Sequence, residues 1–171
     1  MDYVLNNYFS CEPGSYTPER VIEENKIHKK QVIQTVNITK AIMNYRARHH
    51  DNDKNIPENA EILSTALNTG DFKKWEEVHY LNNRHHYQWF LNQENLDKVT
   101  LFDFLECCCD NVAARLGRKG ETATWEEEYR IYIQQGFTEF QAHIMANTFM
   151  EIQALAIEMI KNYSEEDNNG D

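Results

Sequence analysis

The sequence is poor in glycine and proline, with six and three residues respectively. That scarcity excludes collagen, low-complexity chain and a turn-rich all-β fold. Nothing in it approaches the roughly 18 apolar residues of a membrane span, so no membrane association is expected. Bases are outnumbered: 17 Lys and Arg face 28 Asp and Glu, for a formal charge of −11. A protein that tracks a long phosphate backbone needs the opposite balance, which removes long nucleic acid from the expected partners. A small anion held by a metal or a few local cations stays open. Cysteine is scarce as well, limited to Cys11 and the run Cys107, Cys108, Cys109. Consecutive residues supply neither a disulfide framework nor the paired spacing of structural zinc, so reduced thiols are expected. The opening MDYVLNNYFSCEPGSYTPER has no basic stretch leading into an apolar one. No signal peptide is therefore expected, and the chain is placed in the cytoplasm.

Helix signals fill most of the remainder. At 171 residues one domain is expected: an N-terminal arm over 1–19, a helical domain over 20–162 and an acidic, frayed tail over 163–171. Thr17, Pro18 and Glu19 read as a helix start, with a capping hydroxyl, proline in the first turn and an early acid. From there to Arg48 neither Gly nor Pro intervenes, and Ile22, Ile27, Val32, Val36, Thr39 and Met43 set an apolar face on one or two helices. Pro57 opens a helix over 58–68, with Ile62, Leu63, Ala66 and Leu67 inward. Asp71 caps 72–81, and 85–92 reads as a short helix. Thr100 caps 101–116, whose expected buried stripe is Phe102, Leu105, Cys109, Ala113 and Leu116, stopped by Gly117 and Gly120. A helix over 125–135 ends at Gly136. Thr138 and Gln141 form a capping box for a last helix that turns Phe140, Ile144, Phe149, Ile152, Leu155 and Met159 inward. No segment alternates at period two. The fold class is all-α, a multi-helix bundle.

The seven histidines carry the chemical information, six of them between 28 and 86. His28 shares a helix face with Val32 and Val36. His49, His50 and Asp51 close the same stretch, His79 lies one turn after Trp75, and NNRHHYQW brings His85 and His86. Asp103, Glu106 and Asp110 form one acidic stripe beside the buried one, which is costly unless paired or metal-bound. Imidazole nitrogen with carboxylate oxygen suits Mn, Fe, Co, Ni or Zn, with positions left for water and phosphate. His50 and Asp51 would diverge by about 100° on a regular helix, so they can share an ion only where several elements converge. Plainer readings apply to the rest. His49 is an exposed neighbour, and His143 is surface or packing. Trp75, Trp89 and Trp125 pack, and Asp103 is an acid near a helix N-terminus.

The ordered set His28, then His50-Asp51, then Asp110, on an all-α background, resembles the HD-domain superfamily of metal-dependent phosphohydrolases. The wording HDNDK, HYLNNRHHYQW and Glu106 to Asp110 is closest to a branch found in phages and bacteria, and the resemblance covers roughly residues 20 to 160. It implies His28, His50, Asp51 and Asp110 as metal ligands. It implies His79 with His85 or His86 as the extra histidines of a two-metal site bridged by Asp51. Lys54, Arg84 and Arg48 are then candidates to clamp phosphate, and Asp53 is a candidate base. Glu106 is either the partner that holds a ligand histidine or a surface salt bridge. Many superfamily members carry an acid three or four positions after the HD pair, where this chain has Lys54 and Asn55, so proton transfer stays unassigned. The implied function is hydrolysis of a small phosphate ester, a nucleotide or deoxynucleotide monophosphate foremost, with one or two divalent ions. The alternative is a non-catalytic helical protein that binds a protein partner. A homo-oligomer is left open, and a phage origin would place the chain in the host cytoplasm.

Overall fold

The computed structural model describes residues 17–168, apart from the side chains of 118, 119 and 162–168. The described residues are helical, with no strand among them. The chain divides into two compact units, Met1–Arg48 and His49–Asp171.

The described part of the first unit is α1, Pro18–His49, up to Arg48. Thr17 starts it as expected: its Oγ1 accepts from the Arg20 N–H at 3.3 Å. Arg20 then pairs with Glu24 one turn on, at 2.9 Å. The apolar periodicity does not translate into burial, since no residue of α1 is buried. Ile22 and Val36 are each 58% exposed.

The second unit opens with a 3-10 turn, Asn52–Asn55, and α2, Pro57–Thr69, which stops at Gly70 in the left-handed region. Asp71 Oδ1 accepts from the Lys73 N–H at 3.1 Å and starts α3, Lys73–Trp75, which continues as a π-helical stretch, Glu76–Tyr80. Next come α4, Tyr87–Phe90, and a 3-10 stretch, Gln93–Lys98. Thr100 and Asp103 form a capping box for α5, Leu101–Ala114. A wider π-helical turn, Arg115–Lys119, carries α5 past Gly117, and the chain turns at left-handed Gly120. Thr124 and Glu127 box the start of α6, Trp125–Gln134, and Gly136 at φ 96° separates it from α7, Glu139–Asn168. The backbone of α7 thus runs several residues into the expected tail.

The core of this unit is Phe90, Cys108, Val112, Tyr132, Phe137, Met145 and Phe149, where α5, α6 and α7 meet. Two expected stripes are corrected. On α7 the buried residues are Ala142, Met145, Ala146, Phe149 and Gln153, while Phe140, Ile144, Leu155 and Met159 are exposed. The contact face is centred on Ala142, Met145, Ala146 and Phe149, and Phe140, Ile144, Leu155 and Met159 fall to its sides. On α5 the buried set is Asp103, Glu106, Cys107, Cys108 and Val112, and Cys109 is exposed. Arg84 covers the first of these acids and His50 the second, so the acidic stripe faces inward without a solvation penalty left open.

Candidate metal centre

Backbone geometry at Asp51 makes the site. Its φ of 56° and ψ of 20° are left-handed, and it is the one non-glycine residue with positive φ among those described. Aspartate takes this conformation more readily than most residues. The turn ends the run from α1 and frees adjacent side chains from the helical divergence, so His50 and Asp51 reach the same cluster.

His79 arrives on the π-helical stretch, where the Leu81 N–H donates to Glu76 O at 3.0 Å, a spacing of five residues. Such bulges re-aim side chains and recur at functional sites. The His79 ring is fully buried and stacks on Trp75, centroids 4.4 Å apart at 19°. Its Nδ1 lies 2.6 Å from Asp53 Oδ2, which also accepts from Asn83 Nδ2 at 3.0 Å. That pairing leaves Nε2 on the cluster side, 2.9 Å from His86 Nε2 and 3.4 Å from Asp51 Oδ1. His85 Nε2 is 3.3 Å from the same Asp51 oxygen. His50 is held through Nδ1 by Glu106 Oε1 at 3.1 Å, and its Nε2 lies 3.3 Å from Asp110 Oδ1 and 3.4 Å from Asp51 Oδ2.

Two overlapping groups result: Asp51, His79, His85 and His86, and His50, His85 and Asp110, with the ligand atoms of each within 4.8 Å of one another. Asp51 turns Oδ1 to the first group and Oδ2 toward His50 of the second. Ligand bonds of about 2.0–2.2 Å from imidazole nitrogen or carboxylate oxygen put neighbouring donors roughly 3 Å apart around one ion. The separations here are of that size. Asp51 Oδ1 and His85 Nε2 are both buried, and neither makes a directed hydrogen bond. Two imidazole nitrogens at 2.9 Å also repel unless a proton or a cation lies between them. The donor set therefore fits a divalent ion.

Protonation follows the same crowding. Asp110 and Glu106 push the His50 imidazole up to about 10. Burial, reinforced by the charges of His85 and His79, takes His86 down to about 3. Burial also lowers His79, against the pull of Asp53. Burial would raise Asp51, but His85, Lys54 and His50 outweigh it and hold the carboxyl well below its usual range. Lys54 Nζ contacts Asp51 Oδ2 directly.

The profile of a family described as "Family of unknown function (DUF5662)" matches residues 18–152, from α1 into α7, with all the candidate ligands inside the match. The chain belongs to that family. No curated protein and no solved structure matches it. Membership in DUF5662 brings no activity with it, so the chemistry rests on these side chains.

Within this DUF5662 chain, the structure gathers His50, Asp51, His79, His85, His86 and Asp110, all in the second unit. His28 and Arg48 lie on α1 in the first unit and are exposed, and the two groups are composed without them. Asp53, the candidate base, stands behind His79 with its Oδ2 on the ring Nδ1. Glu106 does the same for His50, and its Oε1 lies 3.7 Å from His85 Nδ1. Arg84 is occupied elsewhere: its Nε and Nη2 donate to the two Asp103 oxygens, each at 2.9 Å, and Nη2 also donates to Lys98 O at 2.6 Å. With the guanidinium 4.9 Å above the Trp89 ring, it ties the segment ahead of α5 to that helix. Asp103 is more than a terminal acid, since it is fully buried in this pair. Cys107 and Cys108 are buried thiols outside both groups, and burial pushes Cys108 up to about 12. Cys11 lies outside the described residues. His49 is exposed, and the exposed His143 ring meets Trp125 and Tyr129. Sequence reasoning missed Asn83 and the stacking role of Trp75. Their spacing of four residues on either side of His79 is the signal that points to them.

Proposed function

We propose that this protein is a divalent-metal-dependent hydrolase of a small phosphate ester, with nucleotide and deoxynucleotide monophosphates the first class to test. One observation carries the reading: six nitrogen- and oxygen-bearing side chains converge, and the buried Asp51 Oδ1 and His85 Nε2 lack directed hydrogen bonds. A mixed imidazole and carboxylate set favours Mn, Fe, Co, Ni or Zn over Mg or Ca. A bound ion would supply Lewis acidity toward water and a phosphate oxygen. The chain's own residues prepare the rest. Asp53 and Glu106 engage the far nitrogens of His79 and His50 and so decide which nitrogen is left to bind. Lys54, on Asp51 and 29% exposed, is the cation placed to meet a phosphate. The HD-domain resemblance supports the same reading through His50-Asp51 and Asp110. The apolar residues exposed on α1 favour a second reading, a non-catalytic protein that docks a partner.

The test is metal content after purification without chelator, followed by phosphate release from a nucleotide monophosphate panel with Mn²⁺ or Co²⁺. The wild type is expected to retain metal and release phosphate. Asp51→Asn, which keeps the left-handed turn, is expected to lose both. Absence of metal at every stoichiometry overturns the proposal. Bound metal without turnover of any ester supports the second reading.

A further inference from the structure

The carboxylate of Asp53 is held through one oxygen. Its Oδ2 lies 2.6 Å from His79 Nδ1 and accepts from Asn83 Nδ2 at 3.0 Å, while its Oδ1 is buried and makes no hydrogen bond. A carboxylate fixed at a single oxygen can swing about that point, so a second bond to the same oxygen sets its direction. The Asn83 side chain supplies that bond. Its Nδ2 also donates to His79 O at 3.0 Å. Both partners are oxygens that carry no hydrogen, which places the nitrogen end of the amide here and uses both of its N–H groups. Nδ2 is also 3.0 Å from His79 Nδ1, so amide, carboxylate and imidazole meet at one point.

The backbone of Asn83 completes the arrangement. Its N–H donates to His79 O at 2.9 Å, and its carbonyl accepts from the His86 N–H at 3.1 Å. One residue thus joins the far side of the His79 ring to the segment that carries His86, and the Nε2 atoms of those two rings lie 2.9 Å apart. Asn82 is a built-in contrast. Its Nδ2 donates to Glu77 O at 2.7 Å and its N–H to His79 O at 3.1 Å, so it braces the same π-helical stretch, and neither bond reaches Asp53.

We propose that Asn83 is a positioning residue of the metal centre: its amide fixes Asp53, and Asp53 in turn fixes the direction in which His79 Nε2 offers its lone pair. The inference rests on the metal centre of the proposed hydrolase and adds a residue to it. It holds whichever ester is cleaved. Removing an outer partner of a ligand histidine commonly lowers metal affinity by about 10- to 100-fold.

Co²⁺ titration of the full, chelator-treated chain tests it, because the visible bands of bound Co²⁺ report affinity and coordination geometry together. Asn83→Ala is expected to weaken Co²⁺ by about tenfold and to change the bands. Asn82→Ala removes a hydrogen bond from the same stretch and is expected to move neither. Asn83→Asp keeps the shape of the side chain and turns the donor into an acceptor facing a carboxylate. It is expected to weaken Co²⁺ at least as much as Asn83→Ala, and it carries the comparison should the alanine variant fail to fold. The deciding measurement is a double-mutant cycle. Asp53→Ala is expected to weaken Co²⁺ by about 10- to 100-fold. Adding Asn83→Ala to it is expected to cost less than about twofold more, since the group through which Asn83 acts is then gone. A lower Tm with unchanged affinity and bands, or full additivity with Asp53→Ala, overturns the inference and leaves the metal centre standing. A wild type that binds no Co²⁺ overturns both. Bound Co²⁺ with the expected Asn83 effects, and no hydrolysis of any ester, defeats the hydrolase alone and supports the role of Asn83.

Discussion

Arg84 and Asp103 show what a buried acid requires when no ion serves it. Asp103 is completely buried and depends on the two-pronged guanidinium, whose side chain is 42% exposed. Removing one partner strands a charge in low dielectric. Arg84→Ala is expected to cost about 2–3 kcal/mol in urea unfolding, discounted for the solvent that reaches the arginine. Arg84→Lys should recover only part of that loss, because an ammonium cannot match both oxygens. The sequence places Arg84 beside His85 and His86, which makes it look like part of their site. Only the partner nineteen residues later, on α5, decides its role.

At the scale of elements, starts and stops were legible because they are local chemistry. Thr17, Thr100 and Thr138 begin helices, and Gly136 separates α6 from α7, through hydrogen bonds and dihedral freedom within a few residues. Which face of a helix is buried is not local. On α7 the contact runs along Ala142, Ala146 and Phe149 and includes Gln153, a residue that hydropathy would place in water. Gln153 lies in the contact because its Oε1 accepts from the Ala123 N–H at 2.8 Å and its Nε2 donates to Ala123 O at 3.0 Å. One side chain thus satisfies both backbone groups of a residue in the segment ahead of α6. Gln153→Leu is expected to lower stability by about 2–3 kcal/mol in chemical denaturation despite its better hydropathy, since it strands both groups. The π-helical turn under His79 was equally hidden, because a stretch over 72–81 reads as ordinary helix until its hydrogen bonds are traced.

At the scale of the whole molecule, acid excess dominates, and no helix among the described residues is long and apolar enough to cross a membrane. One acid gives that excess a measurable signature. Glu128 is buried on α6, 2.6 Å from Arg115, and burial raises its carboxyl above the ordinary 4.5 despite that neighbour. A raised carboxyl holds its proton more tightly folded than unfolded. Its contribution to stability is full below 4.5 and is lost as pH rises through the folded value. Glu128→Gln lacks this loss. Its Tm relative to wild type is therefore expected to rise with pH across that window, and a flat difference would contradict the burial argument. The order of histidines and acids along the chain was legible in the sequence at this scale. The division at residues 48 and 49, which puts His28 in one unit and the clustered residues in the other, was not, because no glycine or proline marks it.

His85 is counted in both ligand groups, yet a ring nitrogen has only one lone pair to give. Were two ions to bind, one held by Nε2 would leave the other with His50, Asp110 and the far oxygen of Asp51. Loading with Mn²⁺ should proceed in two unequal calorimetric steps, the tighter first. His85→Ala should bring the two steps closer together by weakening the first.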